Sequence, residues 1–462
     1  MADESLADYK AFLQSKRVRA QNYGFEPPAL NANLFPHQAE IVRFALTKGR
    51  AAMFVDTGLG KTLMQLDWAR CVHEHTNGPV LILTPLAVAA QTVREGAKFG
   101  IAAKIVREDA DCINGVNVAN YERLEKLDAS RFSGVVLDES SILKNFSGKT
   151  FQALCEAFKH TPYRLACTAT PAPNDYMELG NHSEFLGILR QVDMLTRWFL
   201  HDSSDTKDWR LKGHAVSDFW DWVASWARCV SMPSDLGYSD AGFVLPELRT
   251  VQHVIETDLT GTDGQLFRNV ELSATSLHRE KRATLDVRAD QVAELVNGNS
   301  EPWVVWCDTN DEADALTSRI SDAVEVRGNH TAEQKETRLL GFSDGDYRVI
   351  VSKASIAGFG LNWQHCARMA FVGVNYSYEA FYQAVRRCWR FGQQRSVEAH
   401  VVMAQTESAI WNAVMRKSDA HDAMKDEMRA AMLRNAEKTK EAKILYMPGM
   451  RATLPAFIRS AA

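Results

Sequence analysis

Two stretches of this chain repeat one pattern: short, almost wholly apolar runs separated by longer segments of helical spacing. In the first, residues 31–195, the runs read AAMFV, PVLILTP, NGVNVAN, SGVVLDES and YRLACTATP. In the second, from residue 285 onward, they read PWVVWCD, DAVEVRG, YRVIVSK, ARMAFVGV and EAHVVMA. A strand with no polar alternation has to be covered on both faces, which is the condition of a parallel sheet flanked by helices. The expected class is therefore α/β, with two parallel-sheet domains in tandem. A chain of 462 residues suits that division, because a single core rarely grows so large.

The rest of the chain sorts around these two blocks. Residues 1–30 read as an N-terminal extension closed by Pro27-Pro28, 31–195 as the first domain and 285–417 as the second. Between them, 196–284 is expected to be a helical insertion and linker, rich in tryptophan at 198, 209, 220, 222 and 226. Those rings could stack on bases, but Trp222 and Trp226 are one helical turn apart, and core packing is the stronger reading. Residues 418–462 read as a charge-rich helical tail, carrying Arg451 and Arg459 and expected to be a solvated helix rather than a DNA contact.

At 46% hydrophobic and 24% charged residues the composition is that of a globular protein. A net charge of -5 argues against a strongly basic nucleic-acid coat protein, though a local basic channel fits within it. None of the eight cysteines forms a CxxC pair, which disfavours a zinc ribbon or redox motif. The N-terminus lacks the apolar region of a secretory signal, and no apolar run approaches the roughly 18 residues of a membrane span. The expectation is a soluble, cytoplasmic protein with no membrane partner.

Chemistry gathers at the ends of the apolar runs. The first breaks into Asp56-Thr57-Gly58-Leu59-Gly60-Lys61-Thr62 and then a helical pattern. Glycines that expose backbone N–H groups, a lysine for the terminal phosphates and a hydroxyl for Mg²⁺ make a phosphate cradle at a helix N-terminus. Alone, so short a form reads equally well as a tight structural turn. GVVLDESS delivers Asp138 and Glu139 at a strand end, where parallel sheets bind ligands, although adjacent carboxylates also end ordinary strands. LACTATP ends in Thr168 and Thr170, either a turn or a hydrogen-bonding relay. In FYQAVRRCWRFGQ, Arg387 and Arg390 fall three apart, one turn beyond Gln383. They are expected to project from one helix face, as a solvated cluster or as cations aimed at a phosphoryl group.

In this order the motifs resemble the core of helicase superfamily 2, two RecA-like domains with ATP in the cleft between them, and are most similar to Swi/Snf-type DNA translocases. LFPHQ resembles the adenine-side motif, DTGLGKT motif I, LTPLAVAAQTVRE motif Ia, and LDESSILKN motif II. TATPAPN resembles motif III loosely, VVWCDTNDEADAL motif IV, SKASIAGFGLNWQHC motif V and QAVRRCWRFGQ motif VI. The resemblance covers about residues 34–396. It implies that Gln38 recognises adenine, that Gly58, Gly60 and Lys61 hold the phosphates, and that Thr62 and Asp138 hold Mg²⁺. Glu139 would orient the hydrolytic water, with Arg387 and Arg390 as arginine fingers. Gly358 and Gln383 would border the nucleotide, Thr168 and Thr170 couple hydrolysis to movement, and Gly360 and Asn362 face the nucleic acid.

Motif II departs from the pattern: it reads DESS, without the histidine that would contact motif III, and this puts the coupling in question. No zinc or histone-reading module is visible, so a minimal core from a bacterial or viral source is expected. What the resemblance implies is an ATP-dependent translocase on DNA, with duplex the expected partner and single-stranded nucleic acid the alternative. A strand-separating DNA or RNA helicase and an ATP-switched clamp with little turnover are the competing functions.

Overall fold

The computed structural model describes residues 19–85, 88–201, 209–256, 281–357, 362–373 and 375–445. Of the expectations above, residues 1–18, residues 202–208 and 257–280 of the expected insertion, Gly358, Gly360 and residues 446–462 lie outside the described residues.

The first domain contains β1 (Arg50–Val55), β2 (Val80–Thr84), β3 (Ala103–Ile105), β4 (Val116–Asn120), β5 (Gly134–Asp138) and β6 (Tyr163–Thr168). A short antiparallel pair, β7 (Phe199–His201) and β8 (Trp209–Leu211), precedes β9 (Ala227–Val230). Apart from that pair, these strands form one sheet in the order β3-β4-β2-β5-β6-β1-β9, with every pairing parallel. Ala52, Phe54, Leu81 and Leu83 pack into the core on one face, and Met53, Val55, Val80 and Ile82 into the core on the other. Burial on both faces is why these runs show no polar alternation. The order also sets the ends of β5, β6 and β1 side by side, and each end carries one of the motifs.

The second domain contains β10 (Leu248–Ile255), β11 (Trp303–Cys307), β12 (Ala323–Val326), β13 (Val349–Lys353), β14 (Arg368–Val372) and β15 (Val397–Ala404). They form a parallel sheet in the order β10-β15-β14-β11-β13-β12. Two parallel sheets in tandem, each with helices around it, are consistent with two RecA-like domains.

The described residues of the segment between the domains contribute strands to both sheets as well as a helix. They are helical at Val216–Ala224, but β9 returns to the first sheet beside β1, and β10 opens the second sheet. The run WARCV is short and contains an arginine, so it does not stand out as a strand. The structure hides that charge by setting the Arg228 guanidinium 3.4 Å from the Phe44 ring centroid. Trp198, Trp220, Trp222 and Trp226 are no more than 1% exposed, which leaves them no face for a base.

The tail also differs from a solvated helix. A single helix of 38 residues, Ser408–Leu445, starts within the expected second domain. Ile410, Trp411 and Val414 belong to the second domain's core, whereas Met424, Met428, Ala431 and Met432 belong to the first domain's. Among the described residues no helix is long and apolar enough to cross a membrane.

Candidate active site

The turn after β1 depends on its glycines. Gly58 and Gly60 have φ of 98° and 78°, the left-handed region that side chains disfavour. A Cβ on Gly58 would lie 2.9 Å from the Phe391 backbone nitrogen of the second domain, and one on Gly60 would strike the Gln38 amide. Gly60 caps the helix Lys61–Thr76, so Lys61 and Thr62 stand at its N-terminus, where unpaired N–H groups attract anions. Lys61 Nζ donates to the Val55 carbonyl at 2.7 Å. Burial lowers the Lys61 pKa, opposed by the charges of Glu139, Asp138 and Asp56. Gln38 is buried against this loop: its Nε2 donates to Leu59 O and its Oε1 accepts from Phe35 N–H, both at 2.9 Å.

At the end of β5, Asp138 accepts a hydrogen bond from Gln65 Nε2 at 2.8 Å, and Tyr121 donates to its carbonyl at 2.8 Å. Glu139 has φ of 61°, unusual for a residue other than glycine, and this kink re-aims its side chain. Its carboxylate accepts from the Thr168 hydroxyl, from Ser141 Oγ at 3.1 Å and from Gln383 Nε2 at 3.2 Å. Burial raises the pKa of both Asp138 and Glu139. Thr168 Oγ1 in turn accepts the Thr170 N–H at 3.0 Å, while the buried Thr170 hydroxyl has no hydrogen-bond partner among the described residues.

Across the cleft, the helix Tyr378–Val385 ends before the arginines. Arg387 and Arg390 lie in the turns beyond it and do not share one helix face. Arg387 donates to Gln383 O at 3.1 Å and to Gln383 Oε1 at 3.2 Å. Gln383 thereby links Arg387 of the second domain to Glu139 of the first. Burial lowers the pKa of Arg387 to about 9 and of Arg390 to about 10. Asn362 is exposed, and the next residue, Trp363, donates its N–H to Arg387 O at 2.9 Å, joining the two second-domain motifs.

Other participants escape a reading of the sequence. Ser140, where the resemblance leads one to expect a different residue, contacts His182 Nε2 at 3.1 Å, and His182 Nδ1 lies 3.1 Å from Glu178 O. A carbonyl can only accept, so Nδ1 carries the proton and Nε2 accepts from Ser140. Burial lowers the His182 pKa to about 4. His182, on the helix Glu178–Leu186, thus holds Ser140, the residue that follows Glu139. Gln65 had a signal, one turn after Lys61 on the same helix face. His182 had none, because its pairing with Ser140 is tertiary.

Residues 37–213 match the SNF2-related domain, and residues 288–392 match the helicase conserved C-terminal domain. The chain is a Swi/Snf-related, helicase superfamily 2-like protein. Its similarity to curated relatives is long but shallow. It is 21% identical over 431 residues to the bovine (Bos taurus) SWI/SNF-related matrix-associated actin-dependent regulator of chromatin subfamily A-like protein 1, covering 84% of this chain and 44% of that protein. The Caenorhabditis elegans homolog is 23% identical over 438 residues, covering 85% of this chain and 62% of its own length. The mouse (Mus musculus) DNA annealing helicase and endonuclease ZRANB3 is 22% identical over 446 residues, covering 85% and 41%. The chain therefore spans roughly half of these relatives. All three are animal proteins, and a bacterial or viral setting draws no support from them.

Proposed function

We propose that this chain is a nucleic-acid-dependent ATPase that uses closure of its two domains to translocate on duplex DNA. The observation that carries this reading is the polar chain Arg387–Gln383–Glu139–Thr168–Thr170, which runs from one domain to the other through the position of the catalytic base. Gly58, Gly60 and Lys61 form the cradle for the β- and γ-phosphates. The residues present fit Mg²⁺ as well: Thr62 stands at the helix N-terminus beside the loop, and Asp138 is a carboxylate that burial leaves undercompensated. Mg²⁺ held by these two would neutralise phosphate charge.

Glu139, fixed by three donors, orients water toward the γ-phosphate, and Arg387 and Arg390 stabilise the charge that develops there. Loss of that phosphate removes the anion that attracts both arginines to the cradle, and the cleft relaxes. Each domain contacts the DNA through its backbone, so binding is tolerant of sequence and weakened by salt. The relative named a DNA annealing helicase is in keeping with a DNA partner.

Steady-state ATP hydrolysis without polymer and with duplex DNA, single-stranded DNA or RNA tests the proposal, with Glu139→Gln as the blank. Duplex stimulation that disappears in the variant is the expected result. Stimulation by single strands or RNA alone would move the reading to an unwinding helicase, and hydrolysis under no condition would leave a clamp.

A further inference from the structure

The C-terminal helix reaches the phosphate loop from outside both family-matched regions. Asp56, the residue that leads β1 into the loop, is 6% exposed, and its two carboxylate oxygens meet cations from different parts of the second half of the chain. Lys425 Nζ, on the C-terminal helix, lies 2.6 Å from Oδ1, and Arg386 Nη2, just past the helix Tyr378–Val385, lies 3.3 Å from Oδ2. Asp56 is held by its backbone too, donating its N–H to Val230 O at 2.9 Å. The same C-terminal helix also touches the end of the segment TATPAPN: Lys417 Nζ donates to Asn174 Oδ1 at 3.0 Å and to Tyr376 O at 3.1 Å.

A buried carboxylate beside a phosphate cradle is a liability unless its charge is met. It would repel the phosphates, and it would compete with them for Lys61, whose charge already acts on Asp56. Lys425 is itself 6% exposed and lies 5.6 Å from the Tyr382 ring centroid, so solvent does little to screen the pair.

We propose that Lys425 is a positioning residue of the nucleotide site: it neutralises Asp56 at the root of the phosphate loop, so that Lys61 stays directed at the phosphates. The inference rests on the ATPase reading above. It gives the C-terminal helix a function in nucleotide binding, in addition to its packing. Lys425 touches no reacting atom and acts only through Asp56.

The test uses the full chain and five forms: wild type, Lys425→Ala, Lys425→Arg, Asp56→Asn and the Asp56→Asn/Lys425→Ala double variant. Each is measured for affinity toward a fluorescent ATP analogue with Mg²⁺ and for KM and kcat in ATP hydrolysis. Because Lys425→Ala removes the nearer of the two cations on a buried carboxylate and leaves it only the longer contact to Arg386, it should weaken analogue binding and raise KM by about ten-fold, with a smaller change in kcat. Lys425→Arg should restore most of the affinity. In the Asp56→Asn background the alanine substitution should add almost nothing, since no charge remains to be met.

Equal losses in both backgrounds would overturn the proposal. So would the same KM shift from Met428→Ala, which loosens the packing of this helix in the first domain's core and removes no charge. Failure of the ATPase reading is distinguishable: a wild-type chain that binds the analogue but hydrolyses nothing refutes turnover, and the affinity series still decides the role of Lys425. A wild-type chain that binds no analogue overturns both.

Discussion

Replacing Gln383 by alanine should disable hydrolysis while leaving nucleotide binding largely intact. The side chain makes two contacts, each 3.2 Å long: one donated across the cleft to Glu139 and one accepted from Arg387 of its own domain. Hydrogen bonds to charged groups contribute about 1.5–3 kcal/mol each, and bonds of this length belong at the lower end. Arg387 keeps its bond to the Gln383 carbonyl, which the substitution does not touch. A loss of about 2–3 kcal/mol in the transition state corresponds to a fall in kcat of about 30- to 150-fold. KM for ATP should barely move, because the hydrogen bonds of the Gln383 side chain among the described residues go to Glu139 and Arg387 and not to the phosphate loop. The assay is duplex-stimulated steady-state hydrolysis, with Tm measured alongside to confirm folding. Gln383→Glu adds a distinct signature: a second carboxylate facing Glu139 raises the pKa of the base, and the acidic limb of the pH–rate profile moves to higher pH. A fall in kcat of less than about three-fold, or a loss confined to KM, would refute the cross-domain link as part of the catalytic apparatus.

Two further substitutions probe the surroundings. Burial raises the Glu178 pKa from 4.5 to about 7, so the folded state holds more protons than the unfolded one between those values and stability falls as pH rises through them. Glu178→Gln should remove that slope and leave the variant more stable than wild type at pH 8, by about 3 kcal/mol at most, as read by urea denaturation at several pH values; an unchanged slope would contradict the assignment. Gly58→Ala places a Cβ at φ 98° and against the Phe391 backbone, so it should cost about 1–3 kcal/mol in the closed arrangement and raise KM for ATP; a KM equal to wild type would show that the loop does not seat there.

The legible parts of this molecule share one physical property: a fully buried strand that ends abruptly in polar residues. β1, β5 and β6 all have it, and their ends lie side by side in the sheet. Packing that the sequence states only indirectly was harder to read. The strand at Ala227–Val230 is too short to announce itself, and Arg228 disguises it. Met424, Met428 and Met432 fall at helical spacing and do mark a buried face, but a charge-rich surrounding sequence masks the stripe. His182 belongs to a pairing that exists only once the sheet has formed. The arginines were identified by type, and the local geometry expected for them was not observed, because the helix stops at Val385.

Two charge clusters lie within this cleft, and the directions of their pKa shifts separate structure from chemistry. At the root of the loop, Asp56 is pulled down to about 2 and Lys425 is raised, as expected when partners outweigh the cost of burial. One step away the pattern inverts. Lys61, Arg387 and Arg390 are lowered, while Asp138 and Glu139 are raised. There, burial outweighs the partners that the protein itself provides, for both signs of charge at once. Within a single ion-pair network, cations and anions of this kind would satisfy one another and shift the other way. An incoming polyanion and a divalent cation together would relieve that cost of burial: phosphates for the lysine and arginines, Mg²⁺ for the carboxylate. That complementarity agrees with the polar chain through Glu139 in favouring ATP as the cleft's ligand, and the pairing of Asp56 with Lys425 and Arg386 is why Asp56, despite its position, is assigned to holding the loop and not to the reaction.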